Sequence, residues 1–326
     1  MTSTRRTFLA AAAAAPLAAG LLPAVARAGS GHSQAAAHQV AGVQRRKVGE
    51  ATVTALLDGY LDVAPALMST YDAEAAGQSL ARYGQTMQAD GLRIPVNGYL
   101  IQAGGNTTLI DTGTSNLFAP TLGTLGANLA AAGVSPEEID QVILTHMHVD
   151  HVGGLIDAGG AAMFPNAELI VSQTEWDFWY SDEMRTAAGE GAAAFFQAAR
   201  MTTTPYQDRL KLVTGDADLG GGLSTQALPG HTPGHQGVLL NSGDDSLLFW
   251  GDVIHMTGIQ FAYPDVTLAF DTDAEVTKAT RAKMLDMAAA DGLRVTGSHL
   301  DFPGFGLVLR DGDAYRFQAA PWDYAL

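Results

Sequence analysis

Residues 145–155, THMHVDHVGGL, put three histidines and an aspartate within six positions, directly after the apolar run 141–144. Neutral imidazole nitrogen and carboxylate oxygen are the donors that zinc and similar divalent ions accept. The pattern predicts a strand ending in a metal-binding loop. Alternation along an extended segment would turn His146, His148 and Asp150 to one side, with His151 joining from the other. Three further donors follow apolar runs: His231 in LPGHTPGH, Asp252 in FWGDV and His299 in VTGSHL. If each run is a strand, all of them deliver a side chain to a common edge, and seven donors suffice for two metal ions.

The elements that must position these residues follow from periodicity. From Val43 onward, short apolar runs broken by turn residues, such as VTALLDGYLDV and PVNGYLIQAGGNTTLIDTG, predict hairpin-like strands. Residues 71–90 between them are helix-permissive and loop-like. Phe118, Leu122, Leu125 and Leu129 recur at helical spacing, with Gly133 as the stop and a short acidic turn at Ser135 and Pro136. A strand then leads into the metal loop. Residues 167–200 hold the strand AELIVS and two aromatic-rich helical stretches, 211–250 is mostly strands, and 275–290 is an amphipathic helix before the strand that ends at His299. Pattern alone reaches an α/β or α+β class.

Composition narrows the chemistry. Residues 1–28 carry Arg5 and Arg6, an apolar alanine-rich run and Ala26-Arg27-Ala28, which predicts a cleaved twin-arginine signal and export in folded form to the periplasm or medium. The apolar run is shorter than the about 20 residues that a membrane span needs. Residues 29–42 read as a flexible leader, in which His32 and His38 are bystanders, and 43–326 as one catalytic-size domain. Loss of Arg5, Arg6 and Arg27 with the signal moves the formal charge from −16 to −19. A surface so acidic repels phosphate backbones, which excludes a nucleic-acid substrate. With no cysteine, the chain has neither disulfides nor thiolate ligands, and His and Asp alone must hold the metals.

The ordered set HxHxDH, a lone His, a Gly-Asp and a late Gly-Ser-His, with Asp111 in LIDTG, resembles the metallo-β-lactamase superfamily over nearly everything from about residue 43. Within it the chain most resembles the methyl parathion hydrolase group, on LFAPTLGTLGANLAAAGVSPEEID, MFPNAELIVSQTEWDFW, the pair Phe195 and Phe196, IQFAYPDV and SHLDFPGFG. The resemblance implies a four-layer αββα sandwich. It implies His146, His148 and His231 on a first ion, Asp150, His151 and His299 on a second, and Asp252 as the bridge, with Asp150 and Asp252 offsetting metal charge around a shared hydroxide. Zinc is the expected ion; manganese, iron or cobalt also suit such donors. Asp111 is implied to orient a ligand from outside the ligand set, and His235 is placed there too. Phe118, Trp179 and Phe196, or Phe195 in its place, correspond to an apolar wall for an aryl group, and a homodimer fits the same resemblance.

The function so implied is a dinuclear metallohydrolase of esters, lactones or aryl phosphotriesters. Its alternatives are a dedicated lactonase or glyoxalase-II-like thioesterase, and an exported metal-binding protein without activity, for which a complete ligand set would be unnecessary. Absence of Cys excludes the thiolate β-lactamases, and Asp252 excludes the His-only type. Beyond the ligands, the sequence offers no obvious Lys, Tyr or His as a general acid for a poor leaving group. His255 is expected at most to line the pocket.

Overall fold

The structure, a computed structural model, describes residues 40–324. The signal, residues 29–39 of the leader, His32 and His38 lie outside the described residues. Gly42 is already tied to the domain: its N–H donates to Asn128 Oδ1 and its carbonyl accepts from Leu57.

Runs of β-branched and aliphatic residues bounded by Gly and Asx turns form strands, and here they sort into two seven-stranded sheets in chain order. The first sheet holds β1 (Val43–Val48), β2 (Ala51–Val63), β3 (Leu92–Ala103), β4 (Asn106–Ile110), β5 (Gln141–Ile143), β6 (Glu168–Ser172) and β7 (Leu210–Val213). The second holds β8 (Asp218–Gly220), β9 (Leu223–Ala227), β10 (Gln236–Ser242), β11 (Asp245–Phe249), β12 (Arg294–Thr296), β13 (Gly306–Asp311) and β14 (Ala314–Ala319). Pairing in the first sheet is antiparallel up to β4 and parallel from β4 to β7; in the second only β11 and β12 run parallel.

Among the described residues eight α-helices accompany them: α1 (Ala73–Arg82), α2 (Leu125–Ala131), α3 (Val149–Val152), α4 (Gln173–Tyr180), α5 (Asp182–Ala187), α6 (Glu190–Thr203), α7 (Thr257–Gln260) and α8 (Ala274–Asp291). Alternation along the strands gives each sheet two apolar faces. The inner faces meet in a core of Val53, Ile101, Ile110, Ile143, Ile170, Val238, Leu240 and Phe249. The outer face of the first sheet packs on α2, α4 and α6 through Leu125, Leu129, Trp179 and Phe196, and that of the second on α8 through Met284, Leu285 and Ala288. The result is the four-layer αββα sandwich. Helix α8 starts where Asp273 accepts from the N–H groups of Glu275 and Val276 and stops at Gly292 in the left-handed region, φ 62°.

Three local expectations change. Helix α2 begins only at Leu125, so Phe118 lies outside it, on the loop 112–124, and stands half exposed. What shapes that loop is the buried carboxylate of Asp58, which accepts from Thr114 N and Oγ1, Gly123 N and Leu125 N. Residues 173–203 form three helices rather than two, because Ser181 accepts from Met184 N and starts α5, and Gly189 at φ 81° separates α5 from α6. Asp150 and His151 sit on the helical turn α3, so extended alternation does not carry Asp150 to its place.

Phe249 is 1% exposed and meets Tyr99 edge-on at 5.4 Å between the sheets. Phe249→Ala is expected to destabilise the fold by about 3–5 kcal/mol, the usual cost of emptying a closed aromatic site, measured as a shift in the urea unfolding midpoint.

Candidate metal centre

The directions of the strands decide where the donors meet. Asp111 follows β4, and His146 and His148 follow its parallel neighbour β5; Asp252 and His299 follow the parallel pair β11 and β12. Strand β9, two antiparallel steps from β11, runs the same way and is followed by His231. All these loops therefore leave one edge of the sandwich, where the two sheets face each other.

There His146 Nε2, His148 Nδ1 and His231 Nε2 converge, with mutual distances of 2.9, 2.9 and 3.2 Å. Asp150 Oδ2 lies 3.5 Å from both His151 Nε2 and His299 Nε2. Between the two groups stands Asp252 Oδ2, 3.2 Å from His231 Nε2, 3.6 Å from His146 Nε2, 3.4 Å from His151 Nε2 and 3.1 Å from His299 Nε2. The seven expected ligands thus form two clusters joined by one carboxylate.

The outer nitrogens fix the tautomers. Thr145 Oγ1 donates to Asp111 Oδ2, so its oxygen is left to accept from His146 Nδ1 at 3.1 Å. His151 Nδ1 donates to Asp111 Oδ2 at 2.8 Å, His231 Nδ1 to Asp271 Oδ1 at 2.7 Å and His299 Nδ1 to the Pro95 carbonyl at 2.9 Å. In its neutral form each of these rings therefore turns an Nε2 lone pair into the cluster. Asp111 adopts a left-handed backbone, φ 55°, which a short polar side chain tolerates, and this aims its carboxylate at Thr145 and His151.

His235 also lies outside the ligand set. Its Nδ1 donates to the Leu228 carbonyl and its Nε2 accepts the N–H of Asp252 at 3.0 Å, a pairing that needs the neutral ring. Burial supplies that, lowering its pKa to about 3. Gly251, at φ +54°, keeps the contact open: a Cβ there would meet His235 Nε2 at 2.5 Å.

Acceptors that face acceptors in a buried space repel unless a cation lies among them. His146 Nε2 against His231 Nε2, and His299 Nε2 against Asp252 Oδ2, are such pairs; His151 Nε2 and Asp252 Oδ1 are buried without any hydrogen-bond partner. The donor set therefore fits divalent metal ions. At His231, burial opposes the charged ring, yet the hydrogen bonds and charges of Asp252 and Asp271 raise its pKa to about 9, so this corner favours positive charge.

His148, Asp150, Asp252 and His299 bring the clusters to a cavity of about 790 Å³ with mostly apolar walls. Phe118, Trp179, Phe195 and Phe196 all line it. Phe196 is buried between Trp179 and Phe178, whereas Phe195 is partly exposed and faces Phe118 at 6.4 Å, so the exposed aromatic pair of the lining is Phe118 and Phe195. Trp179 is held in place, its indole N–H donating to Glu175 Oε1 at 2.6 Å and its ring meeting His148 edge-on at 5.5 Å. His255 does more than line the wall. Its Nε2 is 3.1 Å from Asp252 Oδ2, its ring stacks on His299 at 4.8 Å, and neither nitrogen has a hydrogen-bond partner. An imidazole beyond the seven thus faces the cavity, as expected of His255, and it also reaches the Asp252 carboxylate.

Sequence reasoning missed Asp271, Glu175 and Phe270. Asp271 reaches His231 from forty positions away, where no spacing rule applies, and Phe270 beside it puts its ring 6.0 Å from that of His231. Glu175 carries a usable signal, an acid on the aromatic, buried side of a helix with Trp four residues on.

The sandwich and the paired His/Asp clusters define a metal-dependent hydrolase. The chain belongs to the metallo-beta-lactamase superfamily, whose model matches residues 91–299. A crystal structure of the hydrolase AbOPH in the beta lactamase superfamily is similar at 31% identity and TM-score 0.83, covering 88% of this chain and 100% of that one. AidC, a dizinc quorum-quenching lactonase with a product N-hexanoyl-L-homoserine bound, is similar at 27% identity and TM-score 0.80 over the same shares. Among curated relatives, an N-acyl homoserine lactonase of Bacillus cereus is 24% identical over 60% of this chain and 78% of its own length. The lactonase AttM of Rhizobium radiobacter is 28% identical over 45% of this chain, and the match spans 60% of that relative.

Asp252→Ala is expected to lower kcat/KM for an aryl ester by more than the about 10–100-fold that loss of an outer hydrogen-bond partner costs. His235→Ala is expected to stay within that range. Steady-state rates beside metal content per chain check the ranking; equal losses with metal retained would remove His235 from its outer position.

Proposed function

We propose that the chain hydrolyses the ester bond of lactones and aryl esters, with two divalent ions per chain, zinc before manganese, iron or cobalt. Aryl phosphotriesters are a further substrate class, on the resemblance to the methyl parathion hydrolase group. The observation that carries this reading is the Asp252 carboxylate set between two His/Asp clusters at the floor of an apolar cavity. When bound, such ions polarise the ester carbonyl or phosphoryl oxygen and provide an activated water. AidC and the N-acyl homoserine lactonases support the lactone reading through their likeness to this chain.

The chain's own residues do the rest. Asp150 and Asp252 offset cationic charge, and Asp111, Asp271, Thr145 and His235 hold the imidazoles and the Asp252 backbone in register. Leu61, Val63, Ile94, Phe178 and Trp179 shed water from the acyl or aryl part of the substrate. His255, kept neutral by burial with its pKa about 4, is the one imidazole outside the seven on the cavity wall among the described residues. Its ring can donate a hydrogen bond to a substrate oxygen above Asp252. No Lys, Arg or Tyr is among the described residues that line the cavity. This favours neutral esters over an anionic thioester, and good leaving groups over amides.

A panel of lactones, 4-nitrophenyl esters, paraoxon and a β-lactam, with the zinc-reconstituted protein, tests the reading; efficient β-lactam turnover, or inertness toward every ester and lactone, would overturn it. Elemental analysis is expected to give about two ions per metal-replete chain, and a reproducible value near one would reject the paired site. Phe118→Ala and Phe195→Ala are each expected to cost roughly 3- to 10-fold in kcat/KM for aryl substrates, equivalent to about 0.5–1.5 kcal/mol per aromatic contact, with little change for a small aliphatic lactone.

A further inference from the structure

Glu175 of α4 is fully buried and touches no cation among the described residues. Its Oε1 accepts from the backbone N–H of Met147 at 2.9 Å and from Trp179 Nε1 at 2.6 Å, and its Oε2 accepts from Thr232 Oγ1 at 2.6 Å and from Gly234 N at 3.0 Å. Met147 lies between His146 and His148. Thr232 and Gly234 directly follow His231. One carboxylate thus bonds the first-sheet loop that carries two of the converging imidazoles, the second-sheet loop that carries the third, and the tryptophan that walls the cavity beside His148. The fit is close, since a Cβ on Gly234 would lie 2.0 Å from the backbone nitrogen of Glu175.

All four partners present a proton. An ionised carboxylate, with acceptor sites only, satisfies them together, whereas an amide of the same shape would turn its NH2 against a donor. The three nitrogens of the His146, His148 and His231 group lie 2.9–3.2 Å apart only while the two loops keep this register.

We propose that Glu175 is a positioning residue of the metal centre, which sets the affinity and geometry of the three-histidine site by clamping its two loops and which ties that site to the Trp179 wall. The inference rests on the reading of that site as a metal site. It follows that loss of the carboxylate loosens the ion as well as the fold.

The test uses the full-length protein stripped with chelator and titrated with Co(II), followed by its visible d–d absorption and by competition with a chromophoric chelator. The variants are Glu175→Gln, the milder Thr232→Val, which removes one of the four donors, and Asp58→Asn as a matched control. Asp58 is an equally buried carboxylate with four donors, but these belong to Thr114, Gly123 and Leu125, none of them next to a residue of the seven. Unfolding of the stripped proteins measures the purely structural loss in each.

Glu175→Gln is expected to weaken the tighter cobalt site by about 10–100-fold and to alter its absorption band. Thr232→Val is expected to change both in the same direction by less, and Asp58→Asn to lower stability with cobalt affinity and spectrum unchanged. Should Glu175→Gln fail to fold, Thr232→Val carries the test. Wild-type affinity and spectrum in Glu175→Gln, or in Thr232→Val if that variant alone folds, would overturn the proposal, as would an equal loss in Asp58→Asn. A wild-type protein that takes up no cobalt would overturn the metal reading and the proposal with it.

Discussion

One carboxylate oxygen, Asp252 Oδ2, stands within 3.1–3.6 Å of five buried imidazole nitrogens at the base of the cavity. With their rings neutral several of these are lone pairs, so the centre is a concentration of acceptors that only a bound cation, proton or metal, can relieve. A protein keeps such a cluster only where a cation relieves it. Much around it follows from that need: strands that share a direction, outer acceptors for the Nδ1 atoms of four rings, glycines where the loops touch, and apolar walls that keep the electrostatics strong.

The outer partners divide into two kinds. Asp111 and Asp271 add negative charge as well as orientation, and they bond His151 and His231, one from each cluster. Thr145 and the Pro95 carbonyl orient His146 and His299 without adding charge. Negative charge beside one ring of each cluster would help both clusters to hold cations side by side.

Much of this was legible in the sequence. The donors stand at the ends of apolar runs, and the period of those runs marks strands, so the common edge could be inferred before any coordinates. Asp111 could be read because it shares a motif position with residues of that role. What could not be read was pairing between distant segments. Asp271 and Glu175 act on loops 28 to 59 residues away, through contacts that only the docking of α4 and the 268–272 segment creates. Phe118 misled because helical spacing continued through a loop whose shape is dictated by Asp58, a residue fifty-six positions earlier than the Thr114 it holds. Phe195 and Phe196 are adjacent on one helix and so point about 100° apart, which composition cannot resolve.

The two sheets each use a continuous half of the chain, strands one to seven and eight to fourteen in order. The donors are divided the same way: His146, His148, Asp150 and His151 come from the first half, His231, Asp252 and His299 from the second. Neither half holds a complete cluster of its own. An ion at the first cluster would therefore add a cross-link between two halves already joined by hydrophobic packing, one chain crossing and hydrogen bonds such as those of Glu175 and Tyr99. Binding is linked to the docking of the sheets, and free metal stabilises the whole sandwich in proportion to the logarithm of its concentration over its dissociation constant. Separation of the halves would break both donor sets at once, so a bound metal would resist opening along the plane between the sheets.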